Sequence, residues 1–356
     1  MAIIENLKLL VECESPTEDL AACQKVIDLA SKISGEVLKN SGKVINENGR
    51  PALWIGAENP EIVLLAHLDT VWPIGSFDPT WRVDGDLVFG PGAFDMKAGF
   101  LQALYALQGI DLTKVALIAT TDEEVGSQTS RDLIKRVSIK AKAVLVLEAS
   151  LNGKVKTGRK GTAMYQIKVI GLASHAGLEP EKGINASVEI ANQLIKVIAL
   201  ENKSEGTTVV PTTLHSGTTT NTVPANSVLD IDVRSFSLSE LERVDKAIKN
   251  LTPTLTGAKL EVSGGINRPP LEEKSTRALF EKLEASAKKI GLPEIGCASV
   301  GGASDGNFAA AAGAQVLDGL GAIGDGAHAP HEQVSIKGMD RQIKLLNSFV
   351  KDLINE

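Results

Sequence analysis

Residues 61–71, EIVLLAHLDTV, decide the fold class of this 356-residue chain. The apolar run 61–66 is too short for a helix and is typical of a buried strand, and it ends directly before His67 and Asp69. Two further runs have the same character: 114–120, KVALIAT, and 143–148, AVLVLE. Helical patterns separate the three runs, over 96–108 and 130–137, so the sequence predicts buried, mostly parallel strands in an α/β sheet.

A different pattern begins near residue 161. The segments 163–170 and 228–233 alternate apolar with polar side chains, which predicts half-exposed antiparallel strands. Helical patterns at 185–199 and 239–251 and a strand pattern at 259–262 complete the order β-α-β-β-α-β. This order is that of a ferredoxin-like α+β unit.

Patterns of the first kind return after residue 270. They predict helices over 272–290, 305–312 and 336–354 and a strand over 315–317, while the chain begins with helical patterns over 3–11 and 20–38. The second unit is therefore expected to be an insertion. We predict one α/β domain formed by 1–159 and 269–356, and an inserted domain, 160–268.

Composition limits the classes of partner. With 37 basic and 44 acidic side chains the net charge is −7, which argues against binding to nucleic acid or to anionic membranes and favours small molecules or peptides. An uncharged apolar stretch of about 18 residues is missing from the sequence, as is a secretory signal pattern, so we expect a cytoplasmic protein. The three cysteines, Cys13, Cys23 and Cys297, have no CxxC spacing. Nitrogen and oxygen atoms must therefore hold any metal ion.

Histidines and acidic residues recur where predicted strands end and where glycine-rich turns precede helices, which is where open α/β sheets place their ligand sites. Asp69 is suitably spaced to hold one ring nitrogen of His67 while the other binds a metal ion. Of the adjacent Glu123 and Glu124, one can bind metal while the other acts as a general base, and the spacing leaves open which does which. The remaining candidates are Asp95, Glu148, His328, His331 and Glu332. Such a set suits zinc, cobalt or manganese.

Six motifs then support a family resemblance: HLDTV at 67–71, GPGAFDMKAG at 90–99, TTDEEVGS at 120–127, GLASHAG at 171–177, GGASDGN at 301–307 and GDGAHAPHE at 324–332. In order and approximate spacing they resemble those of the co-catalytic di-zinc peptidase and deacylase family. That family includes glutamate carboxypeptidases, acetylornithine deacetylases, succinyl-diaminopimelate desuccinylases and aminoacylases. The resemblance is nearest to the glutamate carboxypeptidase branch. It implies a zinc-peptidase-like catalytic α/β domain with an inserted ferredoxin-like dimerisation or lid domain.

The resemblance also implies a metal site with two Zn²⁺ ions per chain, for which Co²⁺ or Mn²⁺ could substitute. Asp95 would bridge the two ions, and the peptide bond that follows Asp95 is often cis in this family. For the C-terminal ligand, the family spacing of histidine, three residues and glutamate matches His328 with Glu332 and leaves His331 as the lesser candidate. The full ligand set implied is His67 and Glu148 for one ion, Glu124 and His328 for the other, and Asp95 for both.

The roles implied for the remaining residues concern catalysis and substrate binding. Glu123 would be the general base, Asp69 would orient His67, and His175 of the inserted domain, often from the other subunit of a homodimer, would stabilise the oxyanion. Residues matching an asparagine and two arginines of the glutamate carboxypeptidase branch would bind a free carboxylate of the substrate; these are Asn221, Arg234 and Arg268.

The reaction expected from this resemblance is hydrolysis of an amide next to a free carboxylate in a small peptide, releasing a C-terminal amino acid such as glutamate. Two alternatives remain open. One is an N-acyl amino acid deacylase of the acetylornithine deacetylase or aminoacylase type, in which only the substrate pocket differs. The other is a non-catalytic binding protein with the same fold, although Glu123 beside a complete ligand set argues against it.

Overall fold

The computed structural model describes residues 2–356, and these residues form two compact units. Of these residues, unit 1 comprises 2–158, 271–300 and 304–356, and unit 2 comprises 159–270 with 301–303. The chain thus leaves unit 1, builds unit 2 and returns. The roles predicted for these parts, catalysis for one and dimerisation or closure for the other, stay predictions.

The described residues contain nine α-helices: α1 Ala2–Glu12, α2 Leu20–Leu38, α3 Ala98–Ala106, α4 Arg131–Ser138, α5 Ala186–Ile198, α6 Leu238–Lys249, α7 Arg277–Lys289, α8 Asp305–Ala311 and α9 Ile336–Ile354. Their strands are β1 Lys43–Glu47, β2 Arg50–Gly56, β3 Ile62–His67, β4 Arg82–Asp84, β5 Leu87–Phe89, β6 Val115–Thr120, β7 Ala143–Val146, β8 Val155–Arg159, β9 Gly161–Ile170, β10 Ser174–His175, β11 Thr208–Ser216, β12 Thr222–Val223, β13 Asn226–Ser235, β14 Lys259–Arg268, β15 Cys297–Val300, β16 Val316–Leu317, β17 Gly324–Asp325 and β18 Gln333–Ser335.

Unit 1 is built on a six-stranded sheet with the order β1-β2-β6-β3-β7-β16. The pairs β6-β3, β3-β7 and β7-β16 are parallel, and β1-β2 and β2-β6 are antiparallel. Every residue of β3, β6 and β7 is buried, as their apolar sequences require. The predicted fold class, a mixed and mostly parallel α/β sheet flanked by helices, is confirmed.

An antiparallel hairpin, β1-β2, extends this sheet at one edge and was not predicted. Asn48 and Gly49 form its two-residue turn, with φ of 52° and 92°, and Lys43 pairs with Trp54. Asn-Gly between two extended segments is a strong hairpin signal, because both turn positions require a positive φ. The signal was present in the sequence, but the charged and polar residues of β1 obscured it.

The turn Ala93–Lys97, called here the Asp95 turn, leads directly into α3, and close backbone packing brings α3 against the end of β7. A Cβ atom at Gly99, in α3, would lie 2.2 Å from the carbonyl oxygen of Leu147, so only glycine fits there. Gly92 opens the same turn with φ of +68°, a left-handed conformation that favours glycine. These two glycines hold the segment that carries Asp95 next to the strand end that carries Glu148.

Unit 2 is a four-stranded antiparallel sheet with the order β11-β13-β9-β14. Its chain order β9-α5-β11-β13-α6-β14 is the predicted ferredoxin-like order. Alternate residues of β9 and β13 are buried, and they pack with α5 and α6 in one apolar core. β14 runs to Arg268, six residues beyond the predicted strand.

No helix within residues 2–356 combines the length and the apolar composition needed to cross a lipid bilayer.

Candidate functional site

His67 is the last residue of β3, and its ring is fixed by the residues that follow it. The ring Nδ1 lies 3.1 Å from the carbonyl oxygen of Asp69 and 3.3 Å from Asp69 Oδ1. Since both are acceptors, Nδ1 carries the proton and Nε2 is the nitrogen available to a metal ion. Nε2 lies 3.3 Å from Asp95 Oδ1 and 3.7 Å from Glu148 Oε1.

Asp95 lies between two histidines that are distant in the sequence. Its Oδ1 faces His67, whereas its Oδ2 is 3.4 Å from Nε2 of His328. His328 Nε2 is also 3.0 Å from Glu124 Oε2. One carboxylate therefore joins two half-sites, His67 with Glu148 and His328 with Glu124. The side chain of His331, the lesser candidate, is exposed to solvent.

The turn that carries Asp95 is held by a buried glutamate. Glu332 accepts four hydrogen bonds: Oε1 from the amides of Phe94 and Asp95 at 2.9 and 3.0 Å, and Oε2 from the Gly92 amide at 3.0 Å and Trp72 Nε1 at 2.9 Å. The peptide bond between Asp95 and Met96 is cis, as the resemblance implied. Glu332 therefore fixes the backbone immediately before the residue that joins the half-sites.

Glu123 and Glu124 lie in a short 3₁₀ turn, Glu123–Val125, just after β6. The amide of Glu124 donates to Asp69 Oδ2 at 3.2 Å, and that of Glu123 lies 3.4 Å from Asp69 Oδ1. Asp69 thus orients the His67 ring and the turn with both glutamates. Ligand atoms of His67, Glu123 and Glu148 lie within 4.8 Å of one another, so the Glu123 carboxylate lies beside the first half-site while Glu124 contacts the second.

A second buried network also supports this turn. Asp305, at the start of α8, accepts a short hydrogen bond from Ser127 Oγ and one of 3.4 Å from Thr120 Oγ1. Asp122 accepts from the amide of Thr129 at 2.7 Å. The GGASDGN motif therefore contributes the Asp305 side chain, which positions the glutamate turn.

The carboxylates around the two histidines favour positive charge in the cluster. Hydrogen bonds to Asp95 and Glu124 raise the pKa of His328 to about 10. Burial acts to lower the pKa of His67, but hydrogen bonds to Asp69 and Asp95 hold it well above its ordinary value. Burial raises the pKa of the Glu124 carboxyl, because the charged form loses its hydration. Protons or divalent cations can balance the negative charge of these carboxylates.

The cluster fits a pair of divalent metal ions. Glu124 Oε1 is buried and has no hydrogen-bond partner among the described residues, so one acceptor in the cluster awaits a positive ligand. Imidazole nitrogens and carboxylate oxygens, with no thiolate, are the donors that zinc, cobalt and manganese accept. Three side chains, His67, Asp95 and Glu124, offer ligand atoms within 4.8 Å of one another.

In unit 2, His175 lies in the small sheet β10-β12, and Asn221 is the residue directly before β12. His175 Nδ1 accepts from the amides of Gly177 and Leu178, both at 3.1 Å, and the carbonyl oxygen of Asn221 accepts from the Ala176 amide at 2.9 Å. Because Nδ1 of His175 accepts hydrogen bonds, the proton of the neutral ring lies on Nε2. The exposed face of His175 therefore offers a hydrogen-bond donor.

Arg234 and Arg268 lie together elsewhere in unit 2. Both pair in register with Thr162 of β9, one on each side, so their side chains start from the same face of the sheet. Arg234 bonds Asp232 through Nε at 2.9 Å and Nη2 at 3.2 Å, and Arg268 is only 6% exposed. Thr162 is near the start of β9, whereas His175 follows its end. The three predicted substrate-binding residues and His175 therefore form two pairs, separated by a 10-residue strand of about 30 Å.

The positioning roles of Glu332 and Asp305 are absent from the sequence prediction. From the sequence, Glu332 is one candidate acid among several and a match to the C-terminal motif, because a buried acid that binds backbone amides has no sequence pattern of its own. The available signal was the clustering of acidic residues in glycine-rich turns, where backbone N–H groups lack partners. That signal indicates a supporting acid but does not identify the turn that it supports.

The sequence profile of the peptidase family M20/M25/M40 matches residues 63–352. The chain is 31% identical to carboxypeptidase G2 of Pseudomonas sp. (strain RS-16), covering 99% of this chain and 89% of that protein. It is 25% identical to a succinyl-diaminopimelate desuccinylase of Sulfurovum sp. (strain NBC37-1), covering 99% of both. Among solved structures, a tripeptidase of Staphylococcus aureus superimposes with a TM-score of 0.79 at 22% identity, over 99% of this chain and 98% of that one.

Proposed function

The chain belongs to the peptidase family M20/M25/M40, and from this premise we propose that it is a two-metal carboxypeptidase. Membership makes it a metal-dependent hydrolase, a peptidase or amidohydrolase. The finer proposal is that it hydrolyses an amide next to a free carboxylate and releases a C-terminal amino acid such as glutamate. Carboxypeptidase G2, at 31% identity, supports this reading, and the desuccinylase relative keeps a deacylase as the second candidate.

One observation carries the proposal: the two oxygens of Asp95 face the Nε2 atoms of different histidines, at 3.3 and 3.4 Å. We assign Asp95 as the ligand shared by two Zn²⁺ ions, with Co²⁺ or Mn²⁺ as possible substitutes. The remaining ligands are assigned as His67 and Glu148 for one ion, and Glu124 and His328 for the other. Divalent ions held there supply Lewis acidity, which makes an amide carbonyl and a water molecule more reactive near neutral pH.

The protein's own groups then move the protons. Glu123 lies beside the first half-site and accepts a proton from the attacking water at its carboxylate, which it returns to the leaving amine nitrogen. Asp69 holds His67 in the tautomer that leaves Nε2 for metal. His175 offers Nε2–H as a donor to the oxyanion, and we assign Asn221, Arg234 and Arg268 to the substrate carboxylate.

Replacing the base tests this assignment. Glu123→Gln should lower kcat for N-acyl-glutamate hydrolysis by about 10²-fold or more while metal content, measured by elemental analysis, stays at wild-type level. Glu273→Gln, an exposed change in unit 1, is the control and should leave both unchanged. Unchanged activity in Glu123→Gln would refute the base assignment. A metal-loaded wild-type chain that cleaves the methyl ester of the substrate carboxylate as well as the free acid would refute the carboxypeptidase reading.

We further propose a homodimer through unit 2, in which His175 serves the partner's site. The distance of about 30 Å between the pair with His175 and the pair with Arg234 supports this, since one copy does not bring the two pairs together. Val210 and Leu214, on the edge strand β11, are 47% and 46% exposed. Mixing inactive His175→Ala with inactive Glu123→Gln should restore about a quarter of wild-type activity, because half of the dimers would hold one intact site. No recovery after subunit exchange would refute the shared site.

A cytoplasmic location also remains part of the proposal and is testable by cell fractionation.

A further inference from the structure

Arg50 is the first residue of β2, and its side chain joins two segments of unit 1 that are far apart in the sequence. Its Nη1 donates to the carbonyl oxygen of Thr17 at 2.7 Å and to that of Thr121 at 3.0 Å. Within residues 2–356, no hydrogen bond or ion pair joins Arg50 to a carboxylate. Because hydrogen bonds from a charged donor are stronger than those from a neutral one, the guanidinium ties these two backbone segments firmly together.

The first tied segment holds Asp69. The amide of Thr17 donates to the carbonyl oxygen of Thr70 at 3.1 Å, and Thr17 Oγ1 donates to Asp69 Oδ2 at 2.8 Å. The same carboxylate oxygen accepts the amide of Glu124 at 3.2 Å. A displacement of Thr17 would therefore move Asp69 and, through it, the turn that carries the two glutamates.

The second tied segment leads directly to the general base. Thr121 lies between the end of β6 and the 3₁₀ turn that begins at Glu123. Its side chain is buried, and Oγ1 donates to the carbonyl oxygen of Pro51 at 2.7 Å. Thr121 is thus bonded to both of the first two residues of β2. Because only one residue separates Thr121 from Glu123, the position of the Thr121 backbone limits where the Glu123 carboxylate can lie.

A buried thiol lies against both tied carbonyl groups. The Sγ atom of Cys23 is 3.9 Å from the carbonyl oxygen of Thr17 and 3.9 Å from that of Thr121, and Cys23 is 0% exposed. Separation of the two segments would open a path to this thiol. The chemical accessibility of Cys23 therefore reports whether the segments are held together.

From these contacts we propose that Arg50 is a positioning residue for the reaction, which fixes Glu123 relative to Asp69 by bonding the backbone segments that lead to each. This role rests on the proposed function and deepens it, since that function makes Glu123 the base. Loss of the guanidinium should lower kcat and change KM little, because the base shifts while the residues assigned to the substrate carboxylate lie in unit 2. The hairpin β1-β2 thereby contributes to the site from the edge of the sheet.

Substitution of Arg50 tests the effect on the reaction in the zinc-loaded full-length chain. Arg50→Met should lower kcat for N-acyl-glutamate hydrolysis about tenfold, with KM and zinc content within about twofold of wild type. Arg50→Lys keeps a charged donor and should lose less. The control is Arg136→Met, which removes an exposed arginine 3.3 Å from Glu47 of the same hairpin and should leave kcat and KM unchanged. Equal kcat in Arg50→Met and wild type would overturn the positioning role.

A double substitution tests the route of the effect. If Arg50 acts through the base, Arg50→Met should lower kcat less than about twofold further when Glu123 is already replaced by glutamine. A tenfold loss in both backgrounds would overturn the positioning role and leave the base assignment intact. Full activity of Glu123→Gln alone would instead overturn the proposed function.

The reaction rate of Cys23 with a thiol reagent, followed by mass spectrometry of its peptide, provides a readout other than activity. With and without bound zinc, Arg50→Met should raise this rate at least about tenfold, and the rate of the exposed Cys297 should stay unchanged. Arg50→Gln keeps a neutral donor and should give an intermediate rate. Equal Cys23 rates in wild type and both variants would show that the guanidinium does not hold the segments together, and would overturn the proposal.

Discussion

Substitution of Glu332 by glutamine should destabilise unit 1 and loosen its metal site. Both oxygens of Glu332 accept two N–H groups each, and the side chain is 1% exposed. Glutamine retains one oxygen and turns an NH₂ group toward two donors, so two charge-assisted bonds are lost in either orientation. At about 1.5–3 kcal/mol per bond, the free energy of unfolding should fall by about 3–6 kcal/mol, less any relief of repulsion with Asp95.

Tryptophan fluorescence during urea unfolding is the direct assay, since Trp54, Trp72 and Trp81, the three tryptophans of the chain, all lie in unit 1. A matched control exists in Glu284, which accepts the amides of Ile295 and Gly296 through one oxygen only. Glu284→Gln keeps an acceptor there and should cost under about 1 kcal/mol. Zinc affinity, from competition with a chromophoric chelator, should fall about 10–100-fold in Glu332→Gln alone. Equal unfolding midpoints and equal zinc affinities for the two variants would refute the reasoning.

Three other predictions follow from the same contacts. Asp69→Asn should reduce zinc affinity or kcat by about 10–100-fold, measured by chelator competition and initial rates, because Asp69 orients His67 and binds the Glu124 amide. Removal of metal with a chelator should abolish hydrolysis and lower the unfolding temperature, since Asp95, Glu124 and Glu148 then repel one another. Added Zn²⁺ should restore both, and an unchanged unfolding temperature would count against the cluster as a metal site. In unit 2, burial acts to raise the pKa of Glu189, but hydrogen bonds from Thr254, Gln193 and Leu255 and the charge of Lys196 lower it. Its stabilising effect should be full above about pH 5 and be lost as pH falls through the lowered pKa. Hydrogen-exchange protection of the Thr254 and Leu255 amides should therefore decrease below about pH 5 in wild type but not in Glu189→Gln.

The parts of the fold that could be predicted are those where composition alone forces one solution. The runs at 61–66, 114–120 and 143–148 are too short for helices and too apolar for any exposed strand, so they had to be buried strands. β11 was predicted only as a member of the β-α-β-β-α-β order, without a residue range, because its sequence TVVPTTLHS combines a proline with exposed polar residues. Its place at the sheet edge makes such a sequence tolerable, and edge position is a property of the tertiary structure.

The same distinction holds for the site residues. Side chains that can bind a ligand directly, such as His67 and Asp95, lie at strand ends and in glycine-rich turns and can be recognised in the sequence. The side chains that hold them cannot be recognised in this way, because Glu332 and Asp305 act on turns far away in the chain. The separation of His175 from Arg234 required the register of β9 with its neighbours, which local sequence patterns do not encode.

The insertion of unit 2 has a consequence for biosynthesis. His67, Asp95, Glu124 and Glu148 are all translated before unit 2, but His328 and Glu332 emerge only after it, as does β16, which closes the parallel edge beside β7. A nascent chain that stops before residue 270 holds one half-site and an unsupported Asp95 turn. Under the proposed ligand assignment, completion of the metal site is therefore a late event of translation, and we expect hydrolytic capacity only when nearly the whole polypeptide has left the ribosome.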